Sequence, residues 1–305
     1  METVSIRVAD SSVPKRRASV GPVAPASRSA RGFTALLLAP SLLMVLVFLG
    51  LPLGIVFVES LQSNVLLQFA APGIDNYRYL LTRAYYFDVL IRTLRLSLLA
   101  TVIAIPLGYL AAIALPVLKG RIANIAIMAL TFPILAGPLV VILGWMALLP
   151  DSGPLFGPLV RAGLIRPPRI LGSETGIVIS QVQFVLPFAI LTLVTALRQI
   201  PPDLYEAAKS LGAGSLHSFV HVTLPLSLPG ALSTTIIVFS LAASSFIAPH
   251  YLGGASDLTL TTLITNFVLA TFNGPLAAAS SILLLAMMLA SMFAFVKLFG
   301  RFIRP

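Results

Sequence analysis

Residues 33–58 run for 26 positions without a charged side chain. A bilayer core offers no water to backbone amides, so a spanning chain must satisfy them internally, as helices or as a closed barrel. A helix needs about 20 residues to cross, at about 1.5 Å each. The apolar part of a secretory signal stops at about 15 residues, so this run reads as a retained first helix. Five further runs follow, at 96–118, 125–149, 175–197, 230–252 and 275–296, and all ten Asp and Glu lie outside the six cores. Only 10% of the chain is charged and 58% is hydrophobic, where a soluble domain carries about 25% charge. The expected fold class is all-α: a polytopic membrane protein with six transmembrane helices.

Charge placement gives an orientation. With six spans and the N-terminus inside, thirteen Lys and Arg fall on the cytoplasmic side and seven outside, the bias that the positive-inside rule demands. Both termini are then cytoplasmic. Residues 258–296 are uncharged throughout, but a seventh span would erase the bias, so 258–272 is expected to be an external interfacial or re-entrant segment. Residues 1–32, with six basic residues among Ser, Pro, Ala and Val, cannot bury enough apolar surface to order themselves and are expected to be a disordered cytoplasmic tail. The net charge of +10 belongs to membrane orientation rather than to nucleic acid. The chain has no cysteine, which excludes disulfides, thiolate nucleophiles and iron–sulfur clusters. Pro40, Pro52, Pro106, Pro116, Pro133, Pro138, Pro187 and Pro249 lie in or beside the spans. They fit either bent helices around a pathway or ordinary kinked packing.

The longest internal cytoplasmic loop, 198–229, is polar and helix-forming. Pro201 and Pro202 end one span and suit a new helix start, and Asp203 places a negative charge at its positive end. Leu204, Ala207, Ala208 and Leu211 recur at i, i+3, i+4 and i+7, one apolar face. Gly212 stands where a left-handed terminator is expected. Ser215 is expected to cap a second short helix carrying Leu216, Phe219 and Val220. Pro225 and Pro229 are expected to stop that helix and turn the chain back toward the membrane. A nine-residue helix is not stable alone, so it must lie on its own bundle or insert into a partner.

Glu206-Ala207-Ala208, then Gly212, then Val222-Thr223-Leu224-Pro225 resembles the EAA loop of binding-protein-dependent ABC importer permeases. That pattern is Glu-Ala-Ala, three residues, Gly, nine residues, then Ile-x-Leu-Pro; every spacing matches, with Val for Ile. The first-span start Leu-Ala-Pro-Ser-Leu, Asp75-Asn76-Tyr77 with Leu80, and Ile105-Pro106-Leu107-Gly108-Tyr109 resemble the spermidine/putrescine-type branch. The resemblance covers residues 33–300. It implies a type I importer permease (MetI-like) fold over 33–305, placed in the inner membrane. It implies coupling to a dimer of ABC ATPase subunits through Glu206, Ala207, Ala208, Gly212, Val222, Leu224 and Pro225. It also implies a second permease subunit, similar or identical, and a periplasmic or surface-tethered solute-binding protein. The implied cargo is a small polar or cationic solute of the polyamine class. The chain has no Gly-x-x-x-x-Gly-Lys-[Ser/Thr] phosphate cradle, so ATP hydrolysis belongs to another chain. The rival readings are an ion-coupled secondary transporter, which would want intramembrane ionisable groups or paired repeats, and a non-transporting scaffold, which has no use for the EAA spacing.

No catalytic arrangement and no cofactor motif is found. His217 and His221 have a spacing that suits zinc but lack a third ligand nearby, and are expected to be structural or partner-facing. Trp145 and His250 are expected at the membrane interface. Gln181, Gln183, Ser240 and Ser244 are the candidates for lining a pathway, because amides need partners within a membrane; close helix packing is the competing role for the serines. The first outer loop, 75–88, mixes aromatic and charged residues, which suits an interfacial helix or a landing site for the binding protein.

Overall fold

The computed structural model describes residues 39–62, 64, 72–150, 152–165, 169–254 and 257–303; the basic tail expected at 1–32 lies outside them. The chain divides into two units, Met1–Leu53 and Gly54–Pro305. The described part of the first unit is wholly helical and belongs to α1 (Ala39–Ser60), which runs on into the second. A π-turn at Leu46–Gly50 interrupts α1.

The second unit contains no β-strand among its described residues. Its long helices are α3 (Ala84–Ala114), α4 (Gly120–Leu148), α6 (Glu174–Arg198), α8 (Ser215–Ala243) and α11 (Gly274–Ile303). With α1 they make the six helices long and apolar enough to cross a membrane. Shorter helices fill the connections: α2 (Asp75–Thr82), α5 (Gly157–Arg161), α7 (Pro202–Ser210), α9 (Ile247–Leu252) and α10 (Leu260–Leu269).

The packed centre is α3, α6 and α8. Ala100 and Ala104 of α3, Val185 and Ala189 of α6, and Val238 and Ala242 of α8 form one buried cluster. Small residues let these backbones approach, which stands in for the hydrophobic drive that lipid removes. A methyl group on Gly108 would lie 3.1 Å from the Ala189 methyl, and one on Gly230 would collide with that of Ala196. Toward the α7 end, the Tyr109 hydroxyl and Ser227 Oγ share a buried hydrogen bond of 2.9 Å. At the opposite end, Glu174 at the start of α6 pairs with Arg92 at 3.3 Å and with Arg95.

Some boundaries differ from the sequence reading. α3 begins twelve residues before the apolar run at 96, because the aromatic-rich stretch after Arg83 continues straight into the span. α8 does not begin at 230. It begins at Ser215, and Pro225 and Pro229 lie within it. Proline here removes a donor without ending the helix, because the π-turn at Phe219–Thr223 widens the turn just before Pro225. α8 instead breaks at Ser244–Phe246, inside the expected fifth span, and resumes as α9. α4 is also broken: Gly137 has φ 77° and ψ 157°, followed by Pro138. The segment before Asn273 is α10, ten residues opened by a capping box on Thr259 and Thr262. At about 15 Å it is too short to be a seventh span, and Leu260, Leu263 and Phe267 are buried against neighbouring helices.

Candidate functional site

Between α6 and α8 the chain builds a helix, a glycine turn and a second helix start. Pro202 opens α7, where its missing N–H is no loss, and Asp203 sits in the first turn. The end is a Schellman motif: Gly212 N–H donates to Lys209 O at 3.0 Å, and Ala213 N–H to Ala208 O at 3.0 Å. Gly212 has φ 80°, and a Cβ there would meet nothing within 4 Å. The backbone angle, not space, therefore demands glycine. Ser215 does not cap the next helix as expected; it is the first helical residue, and Gly214 holds the cap position with no side-chain bond.

The apolar face of α7 is not spent on its own bundle. Leu211 is 87% exposed, and Leu216, just beyond the turn, 75%. Leu204, Glu206 and Ala207 are exposed, and Ala208 is half-buried. One tether is Tyr205, whose hydroxyl accepts from Thr223 Oγ1 at 3.4 Å. Val222 is half-buried, and Leu224 and Pro225 are exposed, where the π-turn passes into regular helix. The Glu-Ala-Ala group, Gly212 and the Val-x-Leu-Pro group thus lie on two helix segments joined by one tight turn. His217 and His221 stack on each other, ring centroids 4.0 Å apart, and His221 Nδ1 lies 3.1 Å from His217 O. Among the described residues no group of three or more His, Asp or Glu could hold a metal.

The pathway candidates separate. Gln181 is buried and donates to Ala242 O at 3.2 Å, in the last turn of α8; its Oε1 has no partner among the described residues. Gln183 accepts a hydrogen bond from the Trp145 indole. Ser240 is half-buried. Ser244 is exposed and lines a cavity of about 350 Å³ with Ser180, Phe184 and Pro138. Both helix breaks, at Gly137–Pro138 and Ser244–Phe246, meet at this cavity. Irregular backbone at membrane depth is tolerated where protein or a wet cavity surrounds it. The structure brings Ser244 and Ser180 to the cavity wall but not Gln181, Gln183 or Ser240. Sequence reasoning missed the Gly137 break; the Gly-Pro pair at 137–138 was its signal.

Comparison with known proteins matches this architecture. Residues 104–305 match the family described as binding-protein-dependent transport system inner membrane component. The spermidine/putrescine transport system permease protein PotB of Escherichia coli (strain K12) is 32% identical over 216 residues, covering 70% of this chain and 78% of that protein. The inner membrane ABC transporter permease protein YdcU of the same organism is 28% identical over 289 residues, 89% of this chain and 90% of YdcU. A crystal structure of a bacterial alginate ABC transporter, in complex with an alginate pentasaccharide-bound periplasmic protein, contains a chain of the same fold. Its TM-score is 0.73 at 20% identity, over 90% of this chain and 96% of that one.

The molecule is thus a multi-pass permease subunit of an ABC importer, a transporter component and not an enzyme. The chain belongs to the family of binding-protein-dependent transport system inner membrane components. That membership sets aside the secondary-transporter and scaffold readings.

Proposed function

We propose that α7, the Gly212 turn and the first turns of α8 form the coupling element of this importer, received by a separate ABC ATPase subunit. The observation that carries this is the exposed apolar face at Leu204, Leu211 and Leu216 on a segment too short to be stable unaided. Glu206 is the polar anchor, Ala207 and Ala208 permit close approach, and Gly212 fixes the angle between the two helix segments. Val222, Leu224 and Pro225 continue the docking surface into α8. The working assembly contains two ATPase subunits, a second permease, identical or similar, and a solute-binding protein on the outer side. This orientation puts both termini in the cytoplasm. One permease domain over 33–305 follows a basic tail at 1–32.

The solute is a small polar or cationic molecule of the polyamine class, a reading supported by the name of the PotB relative. Its route passes the cavity at Ser180 and Ser244, where two broken helices supply hydroxyls and bent backbone. The test of coupling is a pair of substitutions. Gly212→Asp and Glu206→Lys are expected to abolish uptake and co-purification of the ATPase subunit, with the permease still inserted in the membrane. Normal uptake by both variants would remove the coupling role.

A further inference from the structure

Three half-buried carboxylates, Glu59, Glu174 and Asp257, stand at the end of the bundle away from α7, and they are treated differently. Asp257 Oδ2 accepts from the Gly254 N–H at 3.1 Å. Glu174 is paired with Arg92 and Arg95. Glu59, in the last turn of α1, has no ion pair among the described residues, and it lines a cavity of about 380 Å³ between α1, α10 and α11. Apart from Ser281, the rest of that wall is apolar and includes Val56, Val268 and Phe272.

The position of Glu59 is built rather than incidental. Three buried asparagines tie the end of α1 and Asn64 to α2 and to Asn273, just before α11. Asn64 Nδ2 donates to Asn76 Oδ1 at 3.2 Å and to Asn273 Oδ1 at 2.9 Å. Asn76 Nδ2 donates to Ser60 O at 3.0 Å, one residue from Glu59. The Ser60 and Tyr77 hydroxyls lie 2.6 Å apart. The carboxylate lies against Gly274, where a Cβ would push it aside. Phe272, beside it, adopts φ 51°, a left-handed conformation rare for a bulky residue, and its ring stays 82% exposed at the cavity wall.

We infer that the Glu59 cavity is a binding site for an alkylammonium group of the solute, outside the cavity at the helix breaks. A lone carboxylate above apolar walls matches a cation carried on methylenes: the charge meets the carboxylate, the methylenes meet Val56 and Val268, and the Phe272 ring can face the cation. Gly274 also begins α11, so the positive end of that helix holds Glu59 ionised and takes part of its charge, leaving the face toward the cavity for a cation. The inference rests on the polyamine reading of the solute.

The chain lacks cysteine, so a single reporter can be placed on the wall in the full chain. Ser281→Cys, or Val268→Cys if the first reacts too slowly, is treated with a cationic and an anionic methanethiosulfonate. The cationic reagent is expected to react faster by about threefold or more, and Glu59→Gln is expected to bring the two rates together. Spermidine is expected to slow modification while Glu59 is present and to lose that effect in the Glu59→Gln variant; trehalose is expected to do nothing in either. A helix-capping role alone would still favour the cationic reagent, through the same charge, but would give no protection by spermidine. Equal rates before and after Glu59→Gln, or no protection by spermidine, overturn the site. If cells still import spermidine through this chain in that case, the solute reading stands and only the Glu59 site falls.

Discussion

At the scale of single residues, Gly212 and Glu174 show how differently two polar-region residues can matter. The left-handed backbone at Gly212 would cost an L-residue about 1–2 kcal/mol, while its Cβ would meet open space. Asparagine tolerates this conformation better than alanine does. Uptake assays should therefore rank the parent above Gly212→Asn, and Gly212→Asn above Gly212→Ala, at equal membrane levels. Equal uptake by the Asn and Ala variants would show that backbone angle is not what glycine supplies. The ion pairs of Glu174 are partly exposed, so Glu174→Gln should cost under about 1 kcal/mol, read as a small shift of the thermal midpoint in detergent. Gly212 was legible in the sequence because a glycine that follows an apolar stripe has few other roles. The contact between Gln181 and Ala242 was not, since nothing local tells an amide whether its partner is a cavity or a neighbouring helix.

At the scale of elements, charges drew the boundaries that could be read. Glu174 and Arg198 bracket α6, and the expected 175–197 lies one residue inside each end. The start of α8 was lost because Pro225 and Pro229 suggested a stop, whereas a π-turn absorbs the proline. The break at Ser244–Phe246 lies in an uncharged run with no punctuation of its own. It is held from elsewhere: Thr261 Oγ1 donates to Ser245 O at 2.9 Å, and Gln181 reaches Ala242 O. The contact of α6 with α8 makes a separate demand. Gly230 faces Ala196 so closely that a methyl group would overlap it. Gly230→Val should destabilise the bundle by about 1–3 kcal/mol, seen as a lower midpoint of thermal aggregation. Restoring room with Ala196→Gly should recover part of that loss.

At the scale of the whole molecule, the bundle has its packed centre in α3, α6 and α8, and leaves α7 with its apolar face open at one end. The class of the molecule was legible early, because six uncharged runs and one spaced motif constrain it heavily. The solute was not, since the six uncharged runs hold no Asp, Glu, Lys or Arg that would point to a particular ligand. Orientation joins the two levels: a coupling element must face the compartment that holds ATP. The most direct measurement places a single cysteine at Leu211, in a chain that has none of its own, and labels it with a membrane-impermeant maleimide. The expected result is no labelling in intact cells, labelling in inside-out vesicles, and protection when the ATPase subunit is bound. Labelling from outside intact cells would contradict the coupling role of α7.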